Sequence, residues 1–310
     1  MHQISHVSPL VLNGIDGGNP LGFLAALGVL RTTTRALPDA DVRMIWQIER
    51  GSWRPALICT RELSAGILLD HLTPFLKSMD GQPAFAFADD LALSADEFRA
   101  VAGAAFSQAG PTDRNFADFL SAFGSEALVT SYNEPKIQDT ALRTMSGAGH
   151  QHFLGFMREL VDKTEMCHLH DALFEQWAYA DDKPSMRWDP MDDRRYALRW
   201  KEPSGDPVRT VRGANRLAIE ALPLLPTAPV GKTLHTTGFL QRPREDALFT
   251  WPIWEIPISL DVARSLVSLH ELQVLSPDRR LLRMMGVVEV YRSQRITQGK
   301  YRNFTPGMPA

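Results

Sequence analysis

The chain predicts an α+β protein: mixed and two-lobed, with short antiparallel sheets and a helical middle. Three observations lead there. Apolar residues alternate at period two near both ends, they recur at helical spacing through the middle, and the charge changes sign between the two parts of the chain. The expected divisions are an amino-terminal α+β lobe over 1–130, a helical segment over 131–185, and a basic carboxy-terminal α+β lobe over 186–310.

The elements follow in order. A short apolar strand at 7–12 enters a glycine-rich turn, Asn13-Gly14-Ile15-Asp16-Gly17-Gly18. Asn19 and Pro20 then stand where an N-cap and a first helical residue belong, which predicts a helix over 20–36. Gly22, Ala25, Ala26 and Gly28 keep that helix slim for close packing. Val42, Met44, Trp46 and Ile48 alternate, and a Glu49-Arg50-Gly51-Ser52 turn leads into 53–60, giving a β-hairpin. Helical spacing returns over 62–79 despite Pro74. A strand is expected at 84–88, and Ser94-Ala95-Asp96-Glu97 reads as a capping box for a helix to about 108. Three amphipathic helices are expected at 112–123, 149–163 and 165–179, and Asp181-Asp182-Lys183-Pro184 ends the run. The last third reads as a helix at 210–222, a proline-rich connector (Pro223, Pro226, Pro229), and strands at 234–240 and 247–260. A helix at 261–272 and a strand at 286–297 complete it.

With 44% hydrophobic and 22% charged residues over 310 positions, the chain can bury a core, and wholesale disorder is excluded. Cys59 and Cys167 are too few for a disulfide framework and point to a reducing, cytoplasmic setting. No apolar run reaches the roughly 20 residues of a membrane-spanning helix. The apolar stretch at 21–30 has no Lys or Arg before it and Arg31 after it, which is unlike a secretory signal. Residues 1–186 carry 14 Lys/Arg against 23 Asp/Glu, whereas 187–310 carry 19 against 13. An acidic first part joined to a basic second part fits a protein that meets a polyanion along one side.

Four places carry candidate chemistry. The glycine-rich turn matches neither a dinucleotide fingerprint nor a Walker loop, and Pro20 removes an amide donor, so it reads chiefly as punctuation. His150, His152, Cys167, His168 and His170, with Asp171 adjacent, resemble a ligand cluster for a metal-dependent phosphohydrolase or nuclease. Their H-x-H and C-H-x-H spacings, however, point side chains to different helix faces, and the reading here is no metal and no cofactor. The segment 187–201 interleaves aromatics with Arg194, Arg195 and Arg199, and Arg212 and Arg216 follow at helical spacing. Its acids, Asp189, Asp192 and Asp193, offer the opposite reading of a self-neutralised loop. Between 279 and 302, Arg279, Arg280, Arg283, Arg292, Arg295, Lys300 and Arg302 face only Glu289, with Tyr291, Gln294, Thr297 and Asn303 close by. That composition reads as a strand and tail lying along a phosphate backbone.

Several blocks carry a family resemblance: Asn19-Pro20-Leu21-Gly22-Phe23-Leu24-Ala25-Ala26-Leu27-Gly28-Val29-Leu30-Arg31, then Trp188-Asp189-Pro190, Asp193-Arg194-Arg195-Tyr196-Ala197-Leu198, and Arg212-Gly213-Ala214-Asn215-Arg216-Leu217-Ala218. Together they resemble the CRISPR-associated large-subunit-like proteins of class 1, type I-G (formerly I-U) systems. The resemblance implies a non-catalytic subunit of an RNA-guided, Cascade-like interference complex. Its partners would be the other effector subunits with their guide RNA, the target DNA with its adjacent motif, and a recruited helicase-nuclease. On that reading the arginines named above and Lys300 hold phosphates, and Asn19 and Gln294 are candidates for reading bases.

Overall fold

The computed structural model describes residues 8–78, 82–111, 113–130, 133–145, 151–192, 209–242, 246–298 and 301–310. The chain opens on strand β1 (Leu10–Val11) and the glycine-rich turn. Asn19 then caps helix α1 (Pro20–Ala36), its Oδ1 accepting from the amides of Leu21 at 2.8 Å and Gly22 at 3.3 Å. Strands β2 (Arg43–Glu49) and β3 (Ser52–Ile58) form the expected hairpin. Arg50 and Gly51 turn it with φ of 51° and 81°, as a two-residue hairpin loop requires.

Helix α2 (Ala65–Lys77) is capped by Ser64 and contains Pro74. Helix α3 (Pro83–Ala86) stands where a strand was expected at 84–88. Pro83 presets a helical φ, and one helical turn lets Phe85 pack on Phe119 with ring centroids 4.9 Å apart. The capping box at Ser94 and Glu97 is formed and opens α4 (Ala95–Gln108). Next come α5 (Asn115–Phe123) and an unforeseen hairpin, β4 (Gly124–Val129) with β5 (Ile137–Asp139). Helices α6 (Phe153–Lys163) and α7 (Met166–Phe174) follow. α7 stops short of the expected 179 because the chain turns back at Glu175, where the Trp177 indole N–H donates to the Ala172 carbonyl at 2.9 Å.

Helix α8 (Arg212–Ile219) runs into a 3-10 turn at Leu222–Leu224. The proline-rich connector is in part a strand, β6 (Thr227–Val230), which pairs with β7 (Thr233–Thr236) in a two-stranded sheet. Pro229 is tolerated there because an edge strand does not need every amide. The strand expected at 234–240 breaks at Gly238, which has φ of 83°, into β7 and β8 (Phe239–Leu240). The stretch 247–260 divides into β9 (Leu248–Trp254) and β10 (Ile258–Ser259). The remaining elements are α9 (Leu260–Val267), α10 (Arg279–Met284), β11 (Val287–Gln298), β12 (Tyr301–Phe304) and β13 (Met308–Pro309).

Two antiparallel sheets organise the molecule: β1-β3-β2-β10, and β12-β11-β9-β8 with β13 also on β11. They meet at the start of α1. The Phe23 ring lies 6.1 Å from Trp46 on β2, and 5.9 Å and 6.4 Å from Trp251 and Trp254 on β9. Trp254 donates to the Met44 carbonyl at 2.9 Å, which ties the second sheet to the first. Elsewhere along α1, Gly28 lies against α8 so closely that a Cβ would sit 1.8 Å from the Leu217 carbonyl oxygen. One continuous cluster of buried side chains runs from Leu12 to Phe304 and draws on 1–130, 131–185 and 186–310 alike. Among the described residues no helix is long and apolar enough to cross a membrane.

Candidate nucleic-acid interface

The basic residues of the last third separate into three groups once folded. The first lies on α10. Asp278 caps this short helix by accepting from the Arg280 and Leu281 amides, and only Leu282 turns into the core. Arg280 and Arg283 therefore face solvent. Arg279 is committed: it donates to Glu289 at 2.9 Å and to the Ala310 carbonyl at 3.0 Å.

The second group makes its contacts within the protein, as do Asn19 and Gln294, the two candidates for reading bases. Arg216 is buried, paired with Glu220 at 2.9 Å and donating to the Leu76 carbonyl at 3.0 Å. Arg292 spends its donors on Thr250 Oγ1 at 3.0 Å and on the Leu275 and Val274 carbonyls at 2.8 and 2.7 Å, clamping that loop to β11. Burial, with Arg242 nearby, lowers its pKa. Arg212 is half-buried, one guanidinium nitrogen lying 2.9 Å from His168 Nε2, and its Nε has no partner among the described residues. Asn19 is the α1 cap, and its amide reaches Asp189 Oδ1 at 3.3 Å. Gln294 donates to Asp246 at 3.2 Å. Helical packing and strand pairing recruit these polar ends internally, which spacing alone does not reveal.

The third group is a convergence. Antiparallel pairing of β11 with β12 sets Arg295 opposite Phe304 and Thr297 opposite Arg302, so Arg295 and Arg302 share one face of the hairpin. Both reach the same atom, the Arg143 carbonyl oxygen, at 3.0 and 3.4 Å. Among the described residues neither hydrogen-bonds a carboxylate. Burial, and then the charge of Arg302, push the Arg295 pKa down to about 10. Arg143 itself is buried and held by Asp139 and by Asp90, the latter at 2.8 Å. Burial alone would lower its pKa, but these two carboxylates raise it above the usual value. Two polar atoms here are buried with no partner among the described residues: Arg143 Nε and Arg295 Nε. Such donors normally find an acceptor in the protein or in ordered water. Sequence reading missed Arg143, because a lone arginine in the acidic part carries no periodic signal.

Arg194, Arg195, Arg199, Lys300 and His150 lie outside the described residues. Trp188 and Asp189, at the start of the segment that offered both an aromatic-basic surface and a self-neutralised loop, are buried. The Trp188 indole donates to the Leu142 carbonyl at 2.8 Å, and Asp189 accepts from Asn19, from Tyr179 Oη at 3.1 Å and from the Met191 amide at 2.9 Å. The histidine cluster disperses. His168 Nδ1 accepts from the Glu165 amide at 3.0 Å and its Nε2 faces Arg212, while His170 leans on Asp171 at 3.3 Å and on the Phe174 ring. Among the described residues no three His, Cys, Asp or Glu side chains converge as metal ligands.

The chain matches no protein-family model, and no curated protein is significantly similar to it.

Proposed function

We propose that the protein is a non-catalytic, cytoplasmic subunit of an RNA-guided CRISPR interference complex of the Cascade type, contacting target DNA through its carboxy-terminal sheet. The carrying observation is the convergence of Arg295 and Arg302 on the Arg143 carbonyl without a bonded carboxylate among the described residues. Two guanidinium groups held together in this way are suited to grip one phosphate. β11 is twelve residues long, and roughly 35 Å of it separates Arg280 and Arg283 at its start from Arg302, which lies beside Thr297 near its end. A backbone lying along that line would meet cations at both ends. Support for the complex itself comes from the resemblance of the Asn19–Arg31, Trp188–Pro190 and Arg212–Ala218 blocks. In the complex, the acidic first part would dock on basic, RNA-holding subunits, and the assembly would read the target-adjacent motif and recruit the helicase-nuclease.

The test is co-expression with the proteins encoded beside its gene, followed by purification on a tag placed on this chain. Co-elution of an RNA-bound complex is expected. Elution of the chain without RNA or partner subunits would overturn the reading.

A further inference from the structure

A cleft of about 770 Å³ lies against the glycine-rich turn. Its size is that of a small-molecule site. The wall is unusual in carrying three kinds of recognition chemistry together. Trp177 and Tyr179 form an aromatic corner, ring centroids 6.3 Å apart and planes at 83°. Arg50 and Arg54 stand on the β2–β3 hairpin; Arg54 uses one nitrogen on the Ile15 carbonyl at 2.8 Å, and Arg50 is exposed at the turn. Asp16, Glu49 and Glu175 supply carboxylates: Asp16 is fixed by the Gly18 amide at 2.8 Å, Glu49 stands beside Arg50, and Glu175 is exposed just past the end of α7.

Tyr179 holds the corner under strain. Its φ is 52°, a conformation that a bulky side chain rarely adopts, and its hydroxyl is anchored on the buried Asp189, which Asn19 also holds. The opening turn and the Trp188–Asp189 block thus meet behind this wall. Opposed carboxylates and guanidinium groups suit neither a plain polyanion nor a plain cation.

We propose that this cleft binds a ribonucleotide, with the base stacked on Trp177, the ribose hydroxyls donating to Asp16 or Glu175, and the phosphate held by Arg50 and Arg54. Each part answers a group present on the wall. An indole face takes any base, carboxylates accept from a vicinal diol, and guanidinium forks match phosphate oxygens. The 2′-hydroxyl is the group that distinguishes RNA from DNA at such a site. The ligand is either a free nucleotide or the end of an RNA strand, and its binding does not depend on the interference-complex reading.

Calorimetric titration of the full chain tests it with AMP, GMP, CMP, UMP, their deoxy counterparts and a five-residue oligoribonucleotide. Binding of ribonucleotides about tenfold tighter than of deoxyribonucleotides is expected, since the deoxy analogue lacks the hydroxyl that would donate to a charged carboxylate. Binding of mononucleotides would identify the free nucleotide, and binding of the oligomer alone would identify the strand end. Trp177→Ala should weaken binding about tenfold or more, in line with removal of a stacking platform. Because the Trp177 indole also braces α7, Trp177→Phe should keep most of the affinity, and Glu175→Gln, on an exposed side chain, should erode the ribose preference. Equal affinity for ribo- and deoxyribonucleotides, no heat with any of them up to about 1 mM, or unchanged binding in folded Trp177→Ala protein would each overturn the proposal. A chain that binds ribonucleotides yet never co-purifies with an RNA-bound complex would keep this inference and sink the interference-complex reading.

Discussion

Arg31 and Glu220 meet at 2.6 Å inside the core, with side-chain exposures of 3% and 0%. Arg216 takes the other carboxylate oxygen at 2.9 Å, and Asn115 accepts from Arg31 at 2.6 Å. One carboxylate therefore joins the first helix to α8, with α5 tied in through Asn115. Burial drives the Arg31 pKa down to about 10 even with Glu220 beside it. Burial would also raise the Glu220 pKa, but Arg216 and Arg31 outweigh it and hold the value below the usual range.

Glu220→Gln should therefore destabilise the protein by about 3–5 kcal/mol at pH 7, since it strands buried guanidinium charge. The pH sign follows from a depressed folded-state pKa. The Glu220 contribution is complete above its unfolded value near 4.5 and is lost as pH falls through the lower folded value. Urea unfolding at pH 7 and pH 3.5 checks this, and the gap between wild type and variant should narrow at the lower pH.

Asp189 behaves oppositely. Burial raises its pKa above 3.8, outweighing hydrogen bonds from Met191, Asn19 and Tyr179. Its contribution is present below the unfolded value and is lost as pH rises through the raised folded value. Asp189→Asn should cost little at pH 7, while wild type gains on the variant between pH 7 and pH 4. A constant difference across that range in urea midpoints would contradict the assignment.

Two glycine-to-alanine changes should differ in sign. At Gly28 a Cβ meets the Leu217 carbonyl oxygen at 1.8 Å, whereas at Gly103 on α4 nothing lies within 4 Å. Gly28→Ala should cost about 3 kcal/mol or more by forcing α1 and α8 apart. Gly103→Ala should stabilise by about 0.5–1 kcal/mol through lower unfolded-state entropy. Thermal melts of both variants read the contrast directly.

Arg280→Glu with Arg283→Glu changes two solvent-facing side chains and should leave the melting temperature near wild type. If these arginines meet phosphate, affinity of the assembled complex for target duplex should fall. The slope of log K against log[salt] should also flatten by about 0.9 for each phosphate no longer neutralised. An unchanged salt slope would remove α10 from the interface.

Much of the scaffold was legible from local rules. Asn19 with Pro20, Ser94 with Glu97, and Arg50-Gly51 each specify a boundary through a hydrogen bond or a dihedral within a few residues. What escaped was decided at long range. Phe85 sits on a helical turn because that places its ring on Phe119, and Trp177 ends α7 by returning to Ala172. The site was less readable still. Arg292 and Arg216 look like Arg280 in sequence, yet most of the carbonyls and carboxylates that consume them come from other segments. Arg143 enters the basic cluster only because the chain after β5 and the β11–β12 hairpin end at the same place.

The pairing of β10 with β2 sets an order on biosynthesis. Met44 and Trp254, bonded across the two sheets, are 210 residues apart, and Ile258 supplies the strand neighbour of Met44 at one end of the β2 edge. At ordinary translation speeds that edge waits roughly 10–40 s for its partner. During this interval the amino-terminal hairpin presents an unpaired strand to every other nascent chain nearby. In the completed fold Ile258 and Ser259 pair only with Met44 and Arg43, so among the described residues the rest of that edge, from Ile45 to Glu49, keeps no strand partner on that side.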